Sequence, residues 1–162
     1  YFYLKDNSSI SRIDNLNEDE NTEIVSEDAA DVVRYTLVDQ EGEQVFYKRS
    51  ADLWVFEKPF VEAADSSKVE ESINQLANLQ AQKKVAGDLE EFNLVSPPVY
   101  AKMEFSNGRY IQVDFGSLNP EQTGYYVKVS NSDDIYLVRS IYFQQIFHNS
   151  EYFKKTNNNE SE

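Results

Sequence analysis

The chain has 162 residues, 40% hydrophobic and 14% aromatic, enough apolar surface for one domain with a sizeable core. Its 29 acidic and 15 basic residues give a formal net charge of −14, a field that repels nucleic-acid phosphate and so excludes nucleic acid as an expected partner. Cysteine is absent, which removes disulfides, thiolate zinc sites and cysteine nucleophiles together, and no apolar run approaches the length that crosses a bilayer.

The opening residues, Tyr1, Phe2, Tyr3 and Leu4 followed by Lys5 and Asp6, read as the outer end of a membrane segment. Aromatics settle at headgroup level there, and charge begins just beyond. The expectation is that an N-terminal anchor preceded Tyr1; the alternative is an N-terminal strand with an aromatic start. Residues 1–23 are then a polar spacer, residues 24–153 the folded domain, and residues 154–162 (KKTNNNESE) a disordered low-complexity tail.

Ile24 and Val25 begin the domain with a short strand, followed by a turn over residues 26–30. The run VVRYTLV at 32–38 is β-branched and aromatic enough for a strand. Gly42 turns it back into QVFYKR, and a third strand, DLWVFEKP, stops at Pro59, which cannot donate a ladder hydrogen bond.

Residues 65–82 change period. Val69, Ile73, Leu76 and Leu79 form one stripe of an amphipathic helix. Ser67 followed by Glu70 resembles a capping box, with Asp65 and Ser66 as competing caps. The connector KKVAGDLEEFNLVSPP lets Val85 pair briefly with a strand and DLEEF form one helical turn before the two prolines.

The clearest pattern comes next. VYAKMEF and RYIQVDF flank Ser106-Asn107-Gly108, and Asn-Gly between alternating runs is a strong hairpin signal. Val99, Ala101, Met103 and Phe105 share a face with Ile111, Val113 and Phe115. The other face carries Tyr100, Lys102, Glu104, Tyr110, Gln112 and Asp114. Such a sheet is antiparallel and covered on one side by the helix.

A further hairpin, YYVKVS and IYLVR joined by NSDD, leads into SIYFQQIFHNSEYF. There Ile141, Gln145 and His148 can share one face of a short closing helix. The fold class is therefore α+β: two antiparallel β-sheet or hairpin units, each with a packed α-helix. The likeness of VVRYTLVDQEGEQVFYKR to VYAKMEFSNGRYIQVDFG raises a weak internal duplication, although any two alternating hairpins share such a rhythm.

Catalytic patterns fail one by one. His148 is the only histidine, so zinc would need one imidazole plus carboxylates, and its place near the end of the last helix suits a cap or surface role. No G-x-S-x-G elbow occurs, and the five glycines are spread through turns rather than gathered in a phosphate loop. Read as a calcium loop from Asn15, the acidic run has Glu20 where Gly is needed and Ser26 where the bidentate Glu belongs. The expectation is no catalytic residue, no metal and no cofactor.

One constellation remains, the tyrosines Tyr100, Tyr110, Tyr126 and Tyr136 on the polar face of the second unit. Tyrosine offers an interface large area with a polar tip, though cross-strand packing also favours it.

The order of these features resembles domain-of-unknown-function family 4340. A strand hairpin leads to Trp54 and Pro59 as W-x-x-x-x-P, then to the helix around residues 69–79. The connector DLEEFNLVSPP carries Asn93 where the family often has Gly. A hairpin turned at Gly108, the strand Gly124-Tyr125-Tyr126-Val127 and the strand Ile135-Tyr136-Leu137-Val138 complete the pattern over residues 24–147. The resemblance implies a bacterial protein anchored N-terminally on the extracytoplasmic face of the cell membrane and linked with ABC-type transport or gliding-like systems. It brings no catalytic residues. Trp54 is then framework under the helix, or a stacking platform for a ligand, and Pro59 ends its strand.

The functional expectation is a non-enzymatic binding or scaffold module serving a membrane protein complex such as ABC transporter subunits. The alternative is a small-ligand or cell-wall-fragment sensor. A scaffold needs a broad tyrosine-bearing surface; a sensor needs an apolar cleft with a few polar groups. An enzyme would need converging carboxylates in a deep cleft.

Overall fold

The computed structural model describes residues 22–51 and 53–155. The anchor-like residues 1–4, the spacer through residue 21 and the tail from residue 156 lie outside the described residues.

Strand β1 (Thr22–Glu23) and a 3-10 turn (Ala29–Asp31) lead into β2 (Val32–Asp39), β3 (Gly42–Ser50), β4 (Leu53–Lys58) and β5 (Glu62–Ala63). Helix α1 (Ser66–Ala77) follows, then β6 (Gln80–Ala81) and β7 (Lys83–Val85). The second half contains β8 (Val99–Phe105), β9 (Tyr110–Leu118), β10 (Gly124–Val129) and β11 (Ile135–Arg139). Two short helices, α2 (Ser140–Ile146) and α3 (Ser150–Phe153), close it. The class is α+β, with strand predominating.

Nine strands form one sheet in the order β5-β4-β3-β2-β8-β9-β10-β11-β7, and β1 pairs separately with β6. The two expected units exist as meanders but are not separate sheets. Their free edges join antiparallel at a central seam, with Tyr35 opposite Met103 and Leu37 opposite Ala101. Both edge strands turn alternate apolar residues to the same side, so pairing them extends one buried face without a break.

That face is covered by the helices. Val69, Ile73, Leu76 and Ala77 of α1 are buried, and each of the three larger side chains contributes about 1.5–3 kcal/mol by leaving water. They meet a core containing Tyr35, Phe46, Trp54, Phe56, Phe115 and Phe153, all fully buried. Phe46 stands 4.7 Å from Phe56 and 5.0 Å from Phe153, tying β3 to β4 and to the C-terminal helix.

The capping box is not what starts α1. The Asp65 carboxylate accepts from the Lys68 N–H at 3.3 Å, while the Ser67 hydroxyl donates back to Asp65. Ser66 is occupied elsewhere, accepting from the Trp54 N–H at 2.9 Å. The helix also ends at Ala77 rather than near residue 82. The Leu79 carbonyl accepts the Ile24 N–H at 2.9 Å, which requires the chain to leave the helix and meet the incoming N-terminal segment. Leu79 remains fully buried.

The closing helix is divided in two. Phe147 and His148 are extended or irregular, and Asn149 caps α3 by accepting the Tyr152 N–H at 3.0 Å. Ile141 and Gln145 are exposed, and it is Ile146 and Phe147 that enter the core.

Candidate functional site

The face of the sheet opposite the helices carries no helical layer among the described residues. Cross-strand register sets its composition. One row runs Val55, Tyr47, Arg34, Glu104, Tyr110 across β4, β3, β2, β8 and β9. A second places Glu43, Val38, Tyr100, Asp114 and Lys128 side by side. Between them lie Val45, Thr36, Lys102 and Gln112.

The charges on this face are interlocked. Arg34 pairs with Glu57 and stands 3.8 Å from Glu104, whose other neighbour, Lys102, lies at 4.0 Å. The Lys102 ammonium sits 4.7 Å from the centre of the Tyr110 ring. Pairs this exposed contribute about 0–1 kcal/mol each, so they are minor to stability but hold the long side chains in place. Val45 and Val55 lie buried beneath this layer. The result is a broad surface of tyrosine, short apolar side chains and neutralised charge, unlike the acidic remainder of the molecule.

Tyr100 and Tyr110 lie on this face as expected, and Tyr110 is 53% exposed. Tyr126 points to the same side but is covered. The connector folds one turn at residues 89–93 and lays Phe92 on Tyr126 with ring centres 4.2 Å apart, in a small cluster with Leu94 and Ile135. Tyr136 is on the opposite, helix-covered side, because it pairs with the core residue Val127. The four tyrosines therefore do not form one surface. Tyr47 belongs with Tyr100 and Tyr110 instead; its signal was the alternation of Val45 and Tyr47 in QVFYKR, which only the central seam joins to the second half.

The remaining motif residues are framework. Trp54 is fully buried in the core beside α1, which leaves no ring face for ligand stacking, and its indole N–H has no acceptor among the described residues. Pro59 follows the last residue of β4 through a cis peptide bond. Gly108 holds φ at +91°, the conformation its turn demands. Gly124 is required for another reason: a Cβ there would stand 2.6 Å from the Val138 carbonyl oxygen on the neighbouring strand. Asn93 has φ +64°, a left-handed conformation that Asn tolerates and Gly adopts freely.

His148 stacks on Tyr152 at 3.8 Å, and its carbonyl accepts from the Gln44 side chain at 2.7 Å. Burial lowers its pKa below the ordinary histidine value, partly opposed by a backbone hydrogen bond at Gln145 and the charge of Glu71. Beside it, Ser72 donates to the Ile146 carbonyl at 2.8 Å, so its single proton is spent. The Tyr35 hydroxyl, 2.6 Å away, must then be the donor to Ser72. Burial pushes the Tyr35 phenol well above the ordinary tyrosine range. Among the described residues no three His, Cys, Asp or Glu side chains are gathered to hold a metal ion. No described helix is long and apolar enough to cross a membrane.

A family model described as Domain of unknown function (DUF4340) matches residues 2–97 and 54–158. No curated protein and no solved structure matches the chain.

Proposed function

The chain belongs to the DUF4340 family, and from that premise we propose that it is a non-enzymatic extracytoplasmic binding module that docks through its open sheet face onto a membrane protein complex, such as an ABC-type transporter. The observation that carries this reading is the surface around Tyr47, Tyr100 and Tyr110, where charge is neutralised within the face and apolar side chains lie directly beneath. Interfaces are depleted in free charge at their centre and enriched in Tyr and Arg, and this patch has that composition. An N-terminal anchor would hold the domain at the extracytoplasmic face of a bacterial membrane, within reach of such a partner. The composition supports the non-enzymatic part, since it offers no thiolate and no recognisable nucleophile-base motif.

The test is crosslinked capture from membranes with the full-length anchored protein as bait. Wild type is expected to recover a permease or ATPase subunit. The double variant Tyr100→Ser/Tyr110→Ser should lose that recovery, because interface aromatics contribute upward of ~1 kcal/mol each. Equal recovery by the double variant overturns the assignment of this face.

We further infer that the two halves descend from one duplicated unit. The repeated order of four antiparallel strands followed by a helix, in β2–β5 with α1 and in β8–β11 with α2, supports this. The related edge strands β2 and β8 meeting antiparallel at the seam support it as well.

A further inference from the structure

At one end of the sheet, on the side that the helices cover, lies a cleft of about 460 Å³. Its lining residues Asp39 and Val99 adjoin Val38 and Tyr100 of the open face, but its aromatic residues Phe115, Tyr125 and Phe143 lie on the helix-covered side, so it is a different surface from the one proposed to dock. Its floor is aromatic. Tyr125 of β10 and Phe143 of α2 stack at 4.4 Å, and Phe115 of β9 stands edge-on to both. Leu118, 43% exposed, continues the apolar surface onto the rim.

The opposite lip is the β2–β3 turn, which brings Asp39 and Glu41 over that floor. Among the described residues no Lys, Arg or His lines the cleft. Neither carboxylate is in an ion pair among the described residues. One Asp39 oxygen accepts the Glu41 N–H at 2.9 Å and fixes the turn, leaving the second oxygen available.

Two carboxylates with no ion-pair partner among the described residues, set beside an aromatic floor, repel anions and attract a cation whose body is apolar. Phe143 is stacked on both Tyr125 and Phe147, so the ring contribution comes from the face of Tyr125 turned away from Phe143, and the low-dielectric wall strengthens both effects. We propose that this cleft binds an arginine or lysine side chain presented by a peptide segment of a partner protein, with an apolar neighbour of that residue resting on Leu118. The exposed apolar rim beyond the cup favours a passing chain over a free amine, and the net charge of −14 steers a basic segment towards the domain.

The experiment is an amide NMR titration of the 162-residue chain with the peptide acetyl-Leu-Arg-Leu-amide, its citrulline analogue, and phenethylammonium. Arginine peptide should shift the amides of Glu41, Ser117, Leu118 and Phe143 and bind at least about tenfold more tightly than the citrulline peptide. The interaction should weaken as salt is raised, since screening acts on exposed carboxylates. Asp39→Asn with Glu41→Gln should abolish the preference for arginine over citrulline. The side-chain amide introduced by Asp39→Asn still offers an acceptor to the turn, and the dispersion of the same spectra reports that the variant is folded. Leu118→Ser should weaken both peptides alike.

Equal binding of arginine and citrulline peptides, an unchanged preference in the carboxylate variant, or shifts confined to another surface would each overturn the proposal. Phenethylammonium binding as tightly as the arginine peptide would overturn the peptide source and assign the cleft to a free amine. Loss of membrane capture in the Tyr100/Tyr110 variant with these titrations unchanged, or the reverse, separates the two sites.

Discussion

The buried relay from Tyr35 through Ser72 to the Ile146 carbonyl yields the sharpest test of the structure. It joins the sheet to α1 and α1 to the last residue of α2, and all three residues are nearly inaccessible to water. Replacing Ser72 with Ala strands two groups at once, the Tyr35 hydroxyl and the Ile146 carbonyl. At ~1–3 kcal/mol for each unsatisfied buried group, the expected loss is about 2–6 kcal/mol. Replacing Tyr35 with Phe strands much less, because Ser72 still donates to Ile146; the expected loss is about 0.5–1.5 kcal/mol. In the Ser72→Ala background the same Tyr35→Phe change removes an orphaned hydroxyl and should be neutral or stabilising. The coupling between the two positions is therefore at least about 0.5–1.5 kcal/mol, and larger by whatever the second substitution gains in the Ser72→Ala background. Urea unfolding at pH 7 measures it, followed by the fluorescence of Trp54, the single and fully buried tryptophan. An equal effect of Tyr35→Phe in both backgrounds would refute the relay. It would mean that water entering from the polar cleft beside Ser72 satisfies the stranded groups.

Two further predictions concern Gly124 and His148. Gly124→Ala should cost about 1–3 kcal/mol in the same urea assay, because its Cβ presses on backbone rather than on a movable side chain; a loss below about 0.5 kcal/mol would show that β10 and β11 can separate there freely. His148 has a folded pKa below its unfolded one, so the unfolded state binds the proton first. Its contribution to stability is present above the unfolded value of about 6.5 and is lost as pH falls from there through the lower folded value. His148→Gln should flatten that acid limb, and an NMR titration of the single histidine giving a pKa above about 6.5 would contradict the burial argument.

Local periodicity was enough to read α1, the Asn107-Gly108 hairpin and the buried face from Val99 to Phe115, because each follows from near neighbours in the chain. What escaped it was long-range. The pairing of β2 with β8 leaves no local mark, and without it the two meanders read as separate sheets. The side of Tyr136 escaped for a different reason. Ile135, Leu137 and Val138 are all apolar because the connector covers one face of β11 while the helices cover the other, so alternation carries no phase there. Asp65 rather than Ser67 caps α1 because Ser66 is needed by Trp54, a tertiary contact that a capping pattern does not encode.

The seam between β2 and β8 also sets an order in time. A chain made from its N-terminus completes β2 long before β8 exists, since residues 40–98 must be added in between. At ~5–20 residues per second that interval is roughly 3–12 s, far longer than a hairpin takes to form. The first meander therefore waits with one edge of β2 unpaired, its Arg34 and Thr36 backbone groups open to any strand that arrives. A nascent chain stalled between residues 40 and 98 presents that edge indefinitely, and two such chains on neighbouring ribosomes carry matching halves of the wrong seam.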